Sequence, residues 1–228
     1  IAAAAEKDPE IIRGLFLTRE AEPCGCYRIK LFNAHKHRWV TMLIDDRVPV
    51  KSTGVPMFSR PHGHELWVLL LEKAMARMFG CYAALDGNVP SVALEAFTGN
   101  VRVDLKPKDV AEKYGAAHLF DVIRKALEHH VLLVVGTTGK DEGETNAIGL
   151  VPGHAYSVLS TFTTSEGVHV LQLRNPWGRG EYTGKFSKVD PSAGRWFGGG
   201  SGAKGGVAHE DGKFWLPMDV FLEHFGCE

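Results

Sequence analysis

Gly153-His-Ala-Tyr-Ser-Val-Leu159 and Val168-His-Val-Leu-Gln-Leu-Arg-Asn-Pro-Trp-Gly178 contain the most informative pattern in this sequence. Each contains an alternation of apolar and polar residues, the spacing of a half-buried strand. The segment between them, Thr163-Thr-Ser-Glu-Gly167, is rich in small polar residues and is typical of a turn. The sequence therefore predicts an antiparallel hairpin with a histidine near one end and an asparagine near the other.

The register of this hairpin decides whether the two side chains meet. If the turn is centred between Thr164 and Ser165, His154 lies directly opposite Asn175, with Cβ atoms roughly 4.5–5.5 Å apart. In Cys-His-Asn peptidases such an amide orients the imidazole, and the other ring nitrogen exchanges a proton with a thiol. A buried histidine with a purely structural hydrogen bond is the alternative, and spacing alone favours it.

The composition is that of an ordinary globular protein. The 228 residues are 44% hydrophobic and 23% charged, with a formal net charge of −1. Because neither sign of charge dominates, nucleic acid and anionic membranes are not indicated as partners. No apolar stretch approaches the roughly 18 residues of a membrane span. Four cysteines in a chain of this size do not form a disulfide framework, so we expect a reducing, cytoplasmic location.

Local patterns divide the chain into two predicted domains, residues 1–99 and 100–228, with the boundary at the break near Gly99. The first contains a predicted hairpin and an amphipathic helix, at Tyr27–Phe32 with Trp39–Ile44 and at Glu65–Ala83. The second contains a helix marked by Leu119 to Leu127, strands at 132–135, 181–183 and 213–216, and a final helix at 219–225.

Cysteines and histidines elsewhere indicate other chemistry only weakly. Three short pairs invite a zinc interpretation: Cys24/Cys26, His35/His37 and His62/His64. None has the paired spacing and four ligands of a structural zinc site. Cys24 and Cys26 lie at a strand entrance, without the helix N-terminus that lowers a thiol pKa, so neither is favoured as a nucleophile. Cys81 falls inside the predicted helix and is expected to be a core residue.

Several stretches together carry a family resemblance. They are Trp39-Val-Thr-Met-Leu-Ile-Asp-Asp-Arg-Val-Pro49, Glu65-Leu-Trp67 with Leu71-Glu-Lys-Ala74, Phe79-Gly-Cys-Tyr-Ala-Ala-Leu85, Phe97-Thr-Gly99, Gly153-His-Ala-Tyr-Ser-Val158, Arg174-Asn-Pro-Trp-Gly178 and Asp211-Gly-Lys-Phe-Trp215. In this order and spacing, which is more specific than any one motif, the chain resembles the calpain family of cysteine endopeptidases. The resemblance covers nearly all of it.

The resemblance implies an α+β fold: a papain-like core of two lobes, the first mainly helical and the second mainly antiparallel sheet, with the active site in the cleft between them. His154 would be the general base, Asn175 would orient it, and Trp177 would shield their contact from water. Gly153 would contact the substrate backbone. Asn88 stands where the family has its second substrate-contacting glycine, and asparagine tolerates left-handed backbone better than most residues.

The resemblance places the nucleophilic cysteine and the oxyanion-hole glutamine just upstream of Ile1, at a helix start whose dipole favours a thiolate. The opening Ile-Ala-Ala-Ala-Ala is typical of the middle of a helix, so we expect a fragment of a longer protein. The expected parent is an intracellular endopeptidase for limited proteolysis of proteins or peptides, with further domains or a larger assembly. The alternative is a catalytically inactive calpain-like scaffold.

Calcium is the cofactor that the resemblance implies, bound through clustered carboxylates and backbone carbonyls in each lobe. Glu65 matches a ligand of the first-lobe site, and Glu181 and Asp211 match ligands of the second. Lys188 and Lys213 stand where the second-lobe pattern has acidic residues. Two ammonium groups would repel a divalent ion, so we expect this second site to be weak or lost.

Overall fold

The structure is a computed structural model that describes residues 4–5, 8–61, 63, 65–85, 87, 89–140, 144–192 and 211–226. Its helices are α1 (Pro9–Arg13), α2 (Trp67–Phe79), α3 (Pro90–Thr98), α4 (Pro107–Tyr114), α5 (Ala116–Glu128) and α6 (Met218–His224). Its strands are β1 (Cys26–Asn33), β2 (Arg38–Asp45), β3 (Leu133–Gly136), β4 (Ala155–Thr163), β5 (His169–Arg174) and β6 (Lys213–Pro217).

Contacts within the chain divide it into a unit that ends at Val103 and a unit that begins at Asp104. The predicted domains, residues 1–99 and 100–228, stay a prediction. Helices and antiparallel sheets occur together, which confirms the α+β class. In the part of the chain that the structure describes, no helix is both long and apolar enough to cross a membrane.

The first unit is built on the hairpin β1–β2 and helix α2. Tyr27 lies opposite Ile44 and Phe32 opposite Trp39, so the hairpin predicted from alternating residues is confirmed. The inward side chains of β1 are buried, and α2 packs against both strands. Its buried face, which includes Leu71, follows the helical period.

Helix α2 is shorter than the predicted Glu65–Ala83. It begins at Trp67 and ends at Phe79, because Gly80 takes a φ of 106° that continues no helix. Cys81 therefore lies beyond the helix and is exposed, so its prediction as a core residue is wrong. Helix α3 was not predicted, although Pro in its first turn and a left-handed glycine cap mark its ends.

The second unit is built on a four-stranded antiparallel sheet in the order β3-β4-β5-β6. Helix α5 buries the predicted apolar face against it, and each large apolar side chain so buried contributes about 1.5–3 kcal/mol. The buried core residues include Leu119, Phe120, Ile123, Leu127, Leu150, Tyr156, Val158, Leu171, Leu173, Phe214, Leu216, Phe221 and Phe225. This core fixes the strands that carry the candidate site.

Three predicted elements of the second unit agree with the structure to within one residue. The strands predicted at 132–135 and 213–216 correspond to β3 and β6, and the helix predicted at 219–225 corresponds to α6. The strand predicted at 181–183 is wrong, since those residues join no sheet. Tyr182 is buried in the core there, and the Thr183 N–H donates to the Ile148 carbonyl at 3.0 Å. Alternating burial in an extended loop produced the strand-like pattern.

Candidate active site

His154 and Asn175 flank a pair of hydrogen-bonded strands, but not in the predicted register. β4 begins at Ala155, β5 ends at Arg174, and Ser157 is the residue opposite Arg174. Neither His154 nor Asn175 belongs to the ladder. The predicted direct cross-strand pairing of the two residues is therefore wrong.

The turn between β4 and β5 sets the observed register. Thr163 pairs with His169, so the turn is centred on Glu166, further along the chain than predicted. A main-chain hydrogen bond from Thr164 N to Val168 O, 2.9 Å long, closes this turn. A β-bulge within β4 then shifts the pairing back by one residue, so the strands reach the site two residues out of the predicted register.

The two side chains nevertheless meet. Nε2 of His154 lies 2.9 Å from Oδ1 of Asn175, and the asparagine is fully buried. Main-chain hydrogen bonds to neighbouring segments hold both residues: Thr137 N donates to His154 O at 2.9 Å, and Asn175 N donates to Gly212 O at 2.8 Å. The contact thus depends on anchors beside β3 and β6 rather than on pairing between β4 and β5.

Three hydrogen bonds fix the orientation of the Asn175 amide. Besides the histidine contact, Oδ1 accepts the Trp177 N–H at 3.0 Å, and Nδ2 donates to the Gly180 carbonyl at 3.3 Å. Because the amide oxygen only accepts and the amide nitrogen only donates, the oxygen faces His154. Nε2 must then carry the hydrogen, so Nδ1 is the basic nitrogen of the neutral ring.

Two aromatic rings contact the imidazole of His154. The Trp177 ring lies 4.3 Å away between centroids and is tilted by 44°, whereas the Tyr156 ring lies 5.2 Å away, edge-on. Trp177 is 43% exposed and Tyr156 only 1%. Apolar cover of this kind lowers the local dielectric and strengthens the hydrogen bond beneath it.

Thr137 is a site residue that was not predicted, since it lies just beyond the strand predicted at 132–135. Its hydroxyl accepts the His154 N–H at 2.9 Å and donates to the Val151 carbonyl at 2.6 Å. Gly153, just before the histidine, is exposed and has a φ of 60°. A hydroxyl residue directly after the apolar run of β3 was the signal that could have identified Thr137.

None of the three described cysteines has the surroundings of a nucleophile. Cys24, Cys26 and Cys81 are all exposed. Desolvation, then Cys24 and the carboxylates of Asp45 and Asp46, raise the pKa of the Cys26 thiol, which disfavours the reactive thiolate. Cys81 follows the C-terminal end of α2, where the helix dipole also disfavours an anion.

Glu181 and Asp211, the predicted second-lobe calcium ligands, lie together around a lysine. Nζ of Lys188 is 2.9 Å from Glu181 Oε1 and 2.6 Å from Asp211 Oδ1. Burial lowers the pKa of Lys188, but hydrogen bonds to these carboxylates outweigh it and raise the pKa above its ordinary value. Burial raises the pKa of Asp211, but hydrogen bonds from Lys188 and the Lys213 N–H outweigh it and lower the pKa. Both groups are therefore charged at neutral pH.

The Glu181–Asp211 cluster does not fit a divalent cation. Its two carboxylates already share an ammonium group, and the described residues contain no group of three or more His, Cys, Asp or Glu that could hold a metal ion. Glu65, the predicted first-lobe ligand, accepts a hydrogen bond from Trp67 Nε1 at 2.9 Å. A calcium role for Glu65 stays a prediction.

The second unit thus brings together four of the predicted catalytic and substrate-contacting residues: Gly153, His154, Asn175 and Trp177. Asn88, the predicted substrate contact in the first domain, lies outside the described residues. The arrangement in the second unit can hold a neutral imidazole in one tautomer under an aromatic cover, which is the requirement for a positioned general base.

Comparison with known proteins gives a consistent family. A family model described as "Calpain family cysteine protease" matches residues 2–227. The chain is 35% identical over 203 residues to the calpain-2 catalytic subunit of Gallus gallus and 32% identical over 196 residues to human calpain-9. It is 37% identical over 195 residues to calpain-12 of Mus musculus. Each match covers 82% of this chain but only 26–27% of the relative's own length.

Proposed function

The chain belongs to the calpain family of cysteine proteases, and from that premise we propose that it carries the base and the orienting residue of an intracellular, calpain-type cysteine endopeptidase. The observation that carries the proposal is the 2.9 Å hydrogen bond between His154 and an Asn175 amide of fixed orientation. The papain-like α+β core predicted from the sequence is consistent with this family and with the observed fold.

His154 is the general base and acid of the proposed mechanism. A cysteine just upstream of Ile1 in the parent protein gives its thiol proton to Nδ1 of His154, and the sulfur attacks the peptide carbonyl carbon. The C–N bond breaks as the imidazolium returns the proton to the leaving amine. Water then loses a proton to His154 and attacks the thioester, which releases the acid and restores the thiol. Asn175 holds the ring through both steps.

The surrounding residues support this chemistry. Trp177 covers the His154–Asn175 contact, and the 4.3 Å separation of its ring from the imidazole is the observation behind that role. Exposed main chain at Gly153 contacts an extended substrate, and Asn88 is assigned a matching contact in the first domain. A cytoplasmic location of the parent is part of this proposal, since four cysteines in a chain of this size are too few for the disulfide framework of a small secreted domain.

The proposed substrates are proteins or peptides cut at few sites, and further domains or a larger assembly accompany the core. The full-length parent should digest casein, and a thiol alkylator should abolish the digestion. His154→Ala should lower kcat by about 10²–10⁴-fold, and Asn175→Ala should lower it by less, because the base remains but loses its orientation. His129→Ala is the control, since that side chain is exposed in the same unit and should leave kcat unchanged.

A non-catalytic scaffold is the competing outcome of the same experiment. Reading the codons immediately before Ile1 in the parent gene separates the two at little effort. A cysteine followed by tryptophan supports the peptidase, whereas another residue in the place of that cysteine contradicts it. Casein digestion that is insensitive both to alkylation and to His154→Ala would also contradict the mechanism.

A further inference from the structure

The Lys188 side chain reaches into a position where its ammonium serves two carboxylates at once. Nζ lies 2.9 Å from Glu181 Oε1 and 2.6 Å from Asp211 Oδ1. The Glu181 side chain is only 10% exposed and that of Lys188 27%, whereas that of Asp211 is 49% exposed. The partly buried pair of Glu181 and Lys188 is screened much less than a surface ion pair. That pair is therefore the fixed part of the cluster.

The Glu181 carboxylate connects Lys188 to the candidate active site. Glu181 Oε1 also accepts the N–H groups of Asp211 and Gly212, at 3.0 and 2.9 Å. The Gly212 carbonyl in turn accepts the Asn175 N–H at 2.8 Å. One residue, Gly212, thus lies between the charged cluster and the asparagine that orients His154.

Close packing makes this connection rigid. A Cβ atom on Gly212 would lie 2.5 Å from the Asn175 carbonyl oxygen and 2.9 Å from the Gly178 Cα atom, both of them backbone atoms. Gly212 has a φ of 79°, which other residues rarely adopt. The backbone of Gly212 therefore cannot move without moving Asn175.

A divalent ion at this cluster would have to displace the ammonium group. The displaced Lys188 would remain tethered nearby, and Lys213, two residues from Asp211, brings a second positive charge. Among the described residues, the two carboxylates are therefore matched by two lysines. Calcium sites depend on an excess of oxygen ligands and negative charge, which the described residues of this cluster do not provide.

We propose that Lys188 is the built-in cation of this cluster: its ammonium group takes the place of a bound calcium ion between Glu181 and Asp211 and, through Gly212, holds the segment that carries Asn175. Lys188 is a positioning residue, and the second unit keeps its active geometry without calcium. The consequence for peptide hydrolysis rests on the proposed function. The ion pair, its link to Asn175 and the exclusion of calcium are independent of the proposed function.

The amide resonances of Gly212 and Asn175 report on this cluster directly and can be followed by 15N NMR in the chain of residues 1–228. In the wild type, calcium chloride at millimolar concentration should leave both resonances unchanged. A saturable shift of the Gly212 resonance would overturn the proposal. Because this readout is local, calcium bound elsewhere in the chain does not affect the conclusion.

Variants of Lys188 test the positioning role. Lys188→Met should shift both resonances and speed hydrogen exchange of the Asn175 N–H by at least about tenfold, since a charge-assisted contact is lost. Lys188→Arg keeps the positive charge and should keep the slow exchange of the Asn175 N–H. If Lys188→Met does not fold, slow exchange in Lys188→Arg is the result that supports the positioning role. Lys185→Met is the control, because that ammonium lies 5.0 Å over the Phe186 ring. Unchanged exchange in Lys188→Met, or exchange as fast in the arginine variant as in an unfolded chain, would overturn the proposal.

Lys188→Glu tests the exclusion of calcium. With three carboxylates in place of an ion pair, the Gly212 resonance should show a saturable calcium response in the micromolar to millimolar range. No response beyond that of the wild type would overturn the proposal that Lys188 excludes the ion. A parent protein that cuts no peptides but passes these NMR tests refutes the proposed function alone.

Discussion

Thr137→Val removes a hydroxyl that accepts one hydrogen bond and donates its single hydrogen at the base of the candidate active site, while keeping the shape of the side chain. Thr137 is 8% exposed, and its Oγ1 lies 2.9 Å from His154 N, 2.6 Å from Val151 O and 3.1 Å from His154 O. A buried hydrogen bond contributes about 0.5–1.5 kcal/mol net, so the loss of two should lower the free energy of unfolding by about 1–3 kcal/mol.

Urea unfolding of the wild-type and variant chains measures this difference, provided that the dependence on urea is unchanged. Thr138→Val is a matched control in the next residue, because its hydroxyl makes a single, long contact of 3.4 Å to the His224 carbonyl. The control should cost less than about 0.5 kcal/mol. Equal losses in the two variants, or a loss below about 0.5 kcal/mol in Thr137→Val, would refute the view that this hydroxyl anchors His154.

Three further predictions concern other hydrogen bonds and close contacts of the second unit. Tyr156→Phe removes the hydroxyl that accepts the Val151 N–H at 2.8 Å, and it should lower the free energy of unfolding by about 1–3 kcal/mol. Tyr114 is 56% exposed, so the control Tyr114→Phe should lower it by almost nothing. Equal urea midpoints for the two variants would contradict this prediction. Gly212→Ala should destabilise the chain by more than Gly167→Ala. Both glycines have a φ of 79°, but of the two only Gly212 has backbone atoms within 4 Å of the added Cβ. Equal thermal midpoints for the two variants would contradict the close packing at Gly212. Burial raises the pKa of Asp190, but hydrogen bonds from Ser192 and Phe186 outweigh it and lower the pKa. The resulting stabilisation should be present above the unfolded pKa of about 3.9 and be lost as the pH falls through the folded value, so the deficit of Asp190→Asn should be larger at pH 7 than at pH 3.

Local sequence patterns predicted the elements of this fold better than their boundaries and contacts. The hairpin of β1 and β2 followed from alternation alone, because one face is buried and the loop is short. The α2 helix was overextended, since nothing in its apolar period reveals that Gly80 leaves the helical region. The exposure of Cys81 follows from that single backbone angle.

In the candidate site, too, the residues were predicted better than the contacts that hold them. The partnership of His154 with Asn175 was predicted, yet the register used to derive it was wrong, because neither the centre of the turn nor the bulge can be read from alternation. The side chains meet through long-range anchors, Thr137 on one side and Gly212 on the other. Contacts of this kind join residues far apart in sequence, so no local pattern records them.

Lysine at position 188 illustrates what sequence and structure each contribute. The sequence and its resemblance placed a positive charge where acidic residues were expected, which predicted a weak calcium site. Only the structure places the ammonium between Glu181 and Asp211. The two observations together changed an expected loss of binding into a proposed replacement of the ion.

The tautomer of the His154 ring can be measured directly. If Asn175 orients the base, it holds the neutral imidazole with its hydrogen on Nε2, and Nδ1 is the base. In the 15N NMR spectrum of the labelled chain above the pKa of the ring, Nε2 should therefore have the shift of a protonated nitrogen and Nδ1 that of an unprotonated one. Asn175→Ala should replace this with a mixture of tautomers. A wild-type ring with its hydrogen on Nδ1, or a ring whose tautomer is unaffected by Asn175→Ala, would contradict the account.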